Sequence, residues 1–168
     1  FSEADELPGL IVDVFLRKNG TKVVVAQTST LGMDTLRPHW EKALQSVFKP
    51  EALVIRGDSH IRHLEKAPLF TDVVKGTESD LRDGELLEDG LYFAADFVEG
   101  QKTGFFLDQK ENRLSLRGFM RPEWRGVDLC SYSGGWGLNA LKGGAREVTF
   151  VDQSSHALEL VQKSLTMN

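Results

Sequence analysis

Apolar and polar positions along the first part of the chain change in short runs, and the runs predict short elements. Residues 10–15 and 22–27 are apolar and β-branched, and Lys18-Asn19-Gly20 between them has turn chemistry, so the pair predicts a hairpin. Residues 36–48 carry Trp40, Leu44, Val47 and Phe48 at helical spacing, with Pro50 closing the run. Residues 53–56 predict a third strand. From 58 to 90 the chain is polar with few apolar residues in register, which predicts a loop-rich stretch. Two more strands are expected at 91–96 and 103–107, around Glu99-Gly100. Residues 108–119 have helical composition and stop before Pro122, which disfavours helical geometry at Arg121.

The last third changes character. Val127-Asp128-Leu129-Cys130-Ser131-Tyr132-Ser133-Gly134-Gly135-Trp136-Gly137 reads as a strand, a glycine-bearing turn and a helix, and residues 147–151 read as a second strand ending at Asp152. Ser154 or Ser155 then caps a final helix through Ala157, Leu160, Val161 and Leu165. This is the arrangement by which an open α/β sheet holds a nucleoside: glycines admit the backbone turn, and the acid at the next strand tip accepts ribose hydroxyls. The loop is not the dinucleotide G-x-G-x-x-G, because Cys130 and Tyr132 stand where small residues are expected. It suits a ligand without phosphates, such as S-adenosylmethionine. The alternative is an ordinary strand–helix–strand turn with an incidental surface aspartate.

The chain has 168 residues and a net charge of −5, against a generally basic nucleic-acid binder. Its charge is unevenly placed. Residues 76–90 hold six acids and one cation, whereas residues 110–125 hold five cations and two acids, so any polyanion surface is expected in the second stretch. Arg113 and Arg117 fall on one helical face, either a solvated face or a contact for RNA phosphates. A single cysteine, Cys130, excludes an internal disulfide and fits a reducing, cytoplasmic setting. No apolar run reaches the ~20 residues of a membrane helix. Asp58, His60 and His63 lack further ligands at suitable spacing, so no metal site is expected. Only two strands of the α/β sheet are present, leaving the first with an unpaired edge; continuation past Asn168 or a second copy of the chain would cover it.

A second segment is as distinctive as the glycine turn. Gly100-Gln101-Lys102-Thr103-Gly104-Phe105-Phe106-Leu107-Asp108-Gln109-Lys110-Glu111-Asn112-Arg113, with the 128–137 loop, Lys142-Gly143-Gly144-Ala145 and Val151-Asp152-Gln153-Ser154, resembles the class I methyltransferases that form 5-methylcytosine in large-subunit ribosomal RNA. The opening, residues 1–13, is similar to the start of that family's middle domain, which lies between a PUA domain and a Rossmann-like catalytic domain. The resemblance implies an α+β middle domain at 1–100, a connecting strand–helix at 101–126, and the truncated start (βαβα) of a Rossmann-like α/β methyltransferase domain at 127–168. It implies S-adenosylmethionine as cofactor and ribosomal RNA as partner. Gln109 matches the glutamine at the methionine end of the cofactor. Asp128, Ser131, Tyr132, Gly134 and Gly135 match its first loop, Asp152 its ribose acid, and Ser154 lies near the adenine. Arg113 matches an arginine just after the glutamine. Phenylalanine is common in the family where Cys130 stands. The family's Asp-Pro-Pro loop and catalytic cysteine do not occur in the chain, so a fragment without turnover is expected; a non-enzymatic RNA- or partner-binding module is the rival. A nicotinamide oxidoreductase is disfavoured by the missing phosphate-loop glycines.

Overall fold

The computed structural model describes all 168 residues, which divide into two compact units: residues 1–83 with 96–104, and residues 84–95 with 105–168. In the first unit, β1 (Leu10–Leu16), β2 (Lys22–Thr28), β3 (Ala52–Gly57) and β4 (Phe70–Lys75) form one sheet in that order. β1 and β2 make the expected antiparallel hairpin, β2 and β3 run parallel, and β4 returns antiparallel. A parallel pair needs a crossover, and α1 (Leu31–Phe48) supplies it. Thr30 Oγ1 accepts the Met33 N–H at 3.2 Å to start α1, and Lys49, in the left-handed region, ends it.

Leu44 with Trp40 and Phe48 covers Leu10, Val12, Val24, Ala26, Leu53 and Ile55, the apolar face of the sheet. The helix starts at Leu31, before residue 36, because its cap is Thr30 and Pro38 is carried inside it. Val47, expected on the buried face, is 69% exposed. The stretch from 58 to 90 is not loop-rich. It holds a 3-10 turn (His60–Glu65), β4, α2 (Glu78–Arg82) and β5 (Gly84–Glu88). β4 is the half-exposed edge of its sheet, so few of its side chains needed to be apolar. Beneath the 3-10 turn, Arg62 is fully buried. It is paired with Asp34 at 2.7 Å and bonded to the carbonyls of Thr28 and Pro68.

In the second unit, β5 and β6 (Leu91–Ala95) form a hairpin whose turn residues, Asp89 and Gly90, have φ of 48° and 79°. A 3-10 turn, Leu107–Gln109, leads into α3 (Lys110–Arg117). β7 (Arg125–Leu129), α4 (Gly135–Lys142), β8 (Glu147–Val151) and α5 (Ser155–Met167) follow, with β7 and β8 parallel. Residues 103–107 are not a strand. Gly104 has φ 113°, and a Cβ there would lie 2.9 Å from the Asp96 carbonyl, so the chain turns sharply where extension was expected.

The free edge of β6 is closed by side chains of α5 and of its C-cap residue. Ser164 Oγ accepts the Ala94 N–H at 2.9 Å, and Asn168 bonds both the N–H and the carbonyl of Tyr92. Those bonds, and the Glu88–Arg113 pair, place the 84–95 hairpin in the second unit, although it falls within the 1–100 stretch read as a middle domain. Helix α4 packs closely on one face of the β7–β8 pair. On the other, Val127, Leu129 and Val151 are 63%, 70% and 43% exposed.

Candidate functional site

The C-terminal ends of β7 and β8 lie side by side, Leu129 opposite Val151, so the segments that follow them meet. Ser131 N–H donates to the Val151 carbonyl at 3.1 Å, one step past the strands. Cys130 and Tyr132 then take left-handed φ of 57° and 47°, and Gly134 takes 83°. Two non-glycine residues in that region within three positions mark a backbone held by its surroundings.

The Asp152 carboxylate is the main holder. One oxygen accepts the Tyr132 N–H at 2.9 Å and the other the Ser154 N–H at 2.9 Å. Each oxygen keeps a further lone pair, and the side chain is half-buried, open enough to accept two hydroxyls from a ligand. Ser154 caps α5 through its hydroxyl, which accepts the Ala157 N–H at 3.2 Å. Asp128 has a different task. Its buried carboxylate accepts the Gly137 N–H at 2.8 Å, tying the first turn of α4 to the C-terminal end of β7. Burial raises its pKa above the ordinary aspartate value; the Gly137 amide opposes the shift and the Asp152 charge adds to it.

The glycines of the turn serve the protein's own packing. At Gly137 a Cβ would lie 2.2 Å from the Phe150 ring, and at Gly135 it would lie 3.2 Å from Arg113 Cδ. Gly134 supplies the left-handed turn, and a Cβ there would press on Leu138. The Tyr132 side chain is buried with Ala94, Ala157 and Leu160, and the Phe106 ring meets it edge-on at 5.5 Å. Ser131 is 4% exposed, and its hydroxyl has no partner. Trp136 is 39% exposed at the start of α4, and Cys130 is exposed.

Gln109 sits at the junction of the 3-10 turn and α3. Its side-chain oxygen accepts from Asn112 at 3.1 Å, and its amide donates to Asp108 at 3.4 Å. The segment carrying it is joined to the glycine turn by Phe106 against Tyr132 and by Arg113 against Gly135.

Arg113 and Arg117 do not form an exposed basic face. Arg113 is 2% exposed and pairs with Glu88. Arg117 bonds the Asn139 side chain at 2.8 Å and the Asp89 carbonyl at 3.0 Å. A guanidinium this buried, bonded to Glu88 and to the Phe106 carbonyl, is neither a solvated face nor in reach of a phosphate, so both readings of Arg113 give way to an internal ion pair. No group of three or more His, Cys, Asp or Glu side chains is placed to hold a metal ion. A cleft of about 700 Å³ in the first unit is lined by Arg37, Asp72, Glu78, Arg82 and Glu99; both arginines are already matched by carboxylates across or beside it.

No family model matches the chain. Over 167 residues it is 32% identical to ribosomal RNA large subunit methyltransferase I of Aeromonas salmonicida, a match covering 99% of this chain and 40% of that protein. The chain thus spans about 40% of the length of the curated relatives it matches. Among solved structures, a Streptococcus mutans protein described as a SAM-dependent methyltransferase superposes with a TM-score of 0.79 at 21% identity, over 99% of this chain and 41% of that one. SMU.776, described as a methyltransferase complexed with SAH, gives 0.78 at 21% identity over 99% and 40%. The chain therefore has the fold of the matching part of these methyltransferases and is similar, from end to end, to a part of ribosomal RNA large subunit methyltransferase I.

Proposed function

We propose that the second unit is the S-adenosylmethionine-binding part of a methyltransferase acting on large-subunit ribosomal RNA, with C5 of cytosine as the methylated atom. The observation that carries this reading is the Asp152 carboxylate. Two backbone amides fix it at the tip of β8, directly beside the left-handed turn that follows β7. In this reading Asp152 accepts both ribose hydroxyls, and Ser154 borders the adenine. Gln109, with one acceptor and one amide donor group, orients the ammonium and carboxylate of the methionine end. Asp128, Tyr132, Gly134 and Gly135 set the turn from inside. The buried, unpartnered Ser131 hydroxyl under that turn fits a site whose polar contacts are completed by a ligand.

S-adenosylmethionine bound there supplies an electrophilic methyl group. Methylation at C5 also needs a thiolate adding to C6 and a base for the C5 proton. The only thiol in the chain, Cys130, lies in the strained loop beside the proposed nucleoside site. We assign it no nucleophilic role, and no methyl transfer is expected from the 168-residue chain alone. The rival reading as a plain RNA-binding module loses its support where Arg113 and Arg117 turn inward.

Calorimetric titration of the chain with S-adenosylhomocysteine and, separately, NAD tests the proposal. Binding of the first, weakened roughly tenfold or more by Asp152→Ala, is expected. Binding of NAD in its place, or S-adenosylhomocysteine affinity indifferent to Asp152→Ala, would overturn it.

A further inference from the structure

Arg113 joins three pieces of backbone that have no covalent reason to stay in register. Its Nε donates to Glu88 Oε2 at 3.0 Å, and its Nη2 donates to both Glu88 oxygens at 2.7 and 2.8 Å. Nη1 donates to the Phe106 carbonyl at 2.8 Å, at the start of the 3-10 turn that leads to Gln109. The guanidinium lies over the Phe105 ring, 4.6 Å from its centroid. The aliphatic stem lies against Gly135, where any Cβ would meet Cδ at 3.2 Å. One side chain therefore spans the end of β5, the segment bearing Gln109, and the first residue of α4.

A buried ion pair of this kind adds little net stability over apolar side chains of similar volume, because two desolvated charges offset most of their attraction. Its distinctive property is direction. A planar fork bonded to a carboxylate on one side and a carbonyl on the other fixes angles that a hydrophobic contact leaves free. We propose that Arg113 is a positioning residue for the adenosyl ligand: it holds the Gln109 segment at a set spacing from the Gly134–Gly137 turn. The proposal rests on the cofactor reading above and deepens it: Arg113, almost fully buried, would act through the Gln109 segment and not on the ligand itself.

The test compares the wild-type chain with the charge-free pair Arg113→Met/Glu88→Leu and the conservative Arg113→Lys. Three readouts are taken: thermal unfolding, S-adenosylhomocysteine affinity by calorimetry, and amide exchange without ligand. The charge-free pair is expected to keep an unfolding midpoint close to wild type while its affinity falls roughly tenfold or more. Exchange at 107–109 and 134–136 is expected to accelerate, with β5, β6 and α5 unchanged. Arg113→Lys keeps a charge for Glu88 but lacks the second arm for Phe106, so it is expected to recover only part of the affinity.

Retained affinity with unchanged exchange in the two segments would overturn the proposal, as would acceleration spread evenly over the whole unit. If the charge-free pair does not fold, Arg113→Lys and Glu88→Gln carry the same comparison. If the wild-type chain binds no S-adenosylhomocysteine, the cofactor reading fails by itself, and the exchange data still decide whether Arg113 sets the spacing.

Discussion

At the residue scale, Asp128 shows how a side chain in the middle of a motif can work inward. Its carboxylate meets the Gly137 amide, and burial holds its pKa above the ordinary value. A carboxyl whose folded pKa is raised stabilises the fold fully below its unfolded pKa and loses that contribution as pH rises through the raised one. Asp128→Asn keeps an acceptor for Gly137 without a charge. Urea unfolding is therefore expected to favour the Asn variant increasingly as pH rises from the acid range to neutrality. A gap between the two that does not change with pH would contradict this. Asp128→Ala leaves a buried amide unpaired and is expected to cost about 1–3 kcal/mol by the same measurement. Asp128, Gly134 and Gly135 are legible in the sequence as one strand and turn, because they are local, and Asp152 is legible as the acid closing the next strand. Arg113 was visible only as a charge. Its partner Glu88 stands 25 positions away, in an acidic stretch that looked like solvent-facing loop.

The same pairing explains what was hidden at the element scale. β5 reads Gly84-Glu85-Leu86-Leu87-Glu88, and its inward positions are Gly84, Leu86 and Glu88. An acid in an inward place breaks the apolar alternation by which a half-buried strand is recognised. β4 was missed for the opposite reason, as an edge strand with little to bury. Residues 103–107 have the composition of a strand, with Phe105 and Phe106 adjacent, yet the chain turns at Gly104 and both rings pack in the second unit's core. The β7–α4–β8–α5 order was fully legible, since its periodicities, its Ser154 cap and its glycine turn all lie within a few residues of one another. That order depends on the close approach of α4 to β8. Gly137→Ala would set a methyl group 2.2 Å from Phe150 and force the helix outward. A loss of about 1–3 kcal/mol is expected in urea unfolding, partly restored by Phe150→Leu. A neutral Gly137→Ala would show that the helix does not rest there.

At the scale of the whole molecule, the outer face of β7 and β8 stands open. Val127, Leu129 and Val151 form an apolar strip on a parallel pair, a kind of sheet that is ordinarily covered on both faces. Self-association through this face is expected in the isolated chain, and sedimentation equilibrium should show it weakened by Leu129→Lys. A monomer at every concentration would rule out the second copy as its cover. The proposed adenosyl site lies at the C-terminal tips of the same two strands. The most direct measurement is a titration of the ¹⁵N-labelled chain with S-adenosylhomocysteine, followed amide by amide. The largest shifts are expected at Tyr132, Gly134 and Ser154, with the Gln109 side-chain amide moving in step; shifts confined to the first unit, or none at saturating ligand, would contradict the S-adenosylmethionine site.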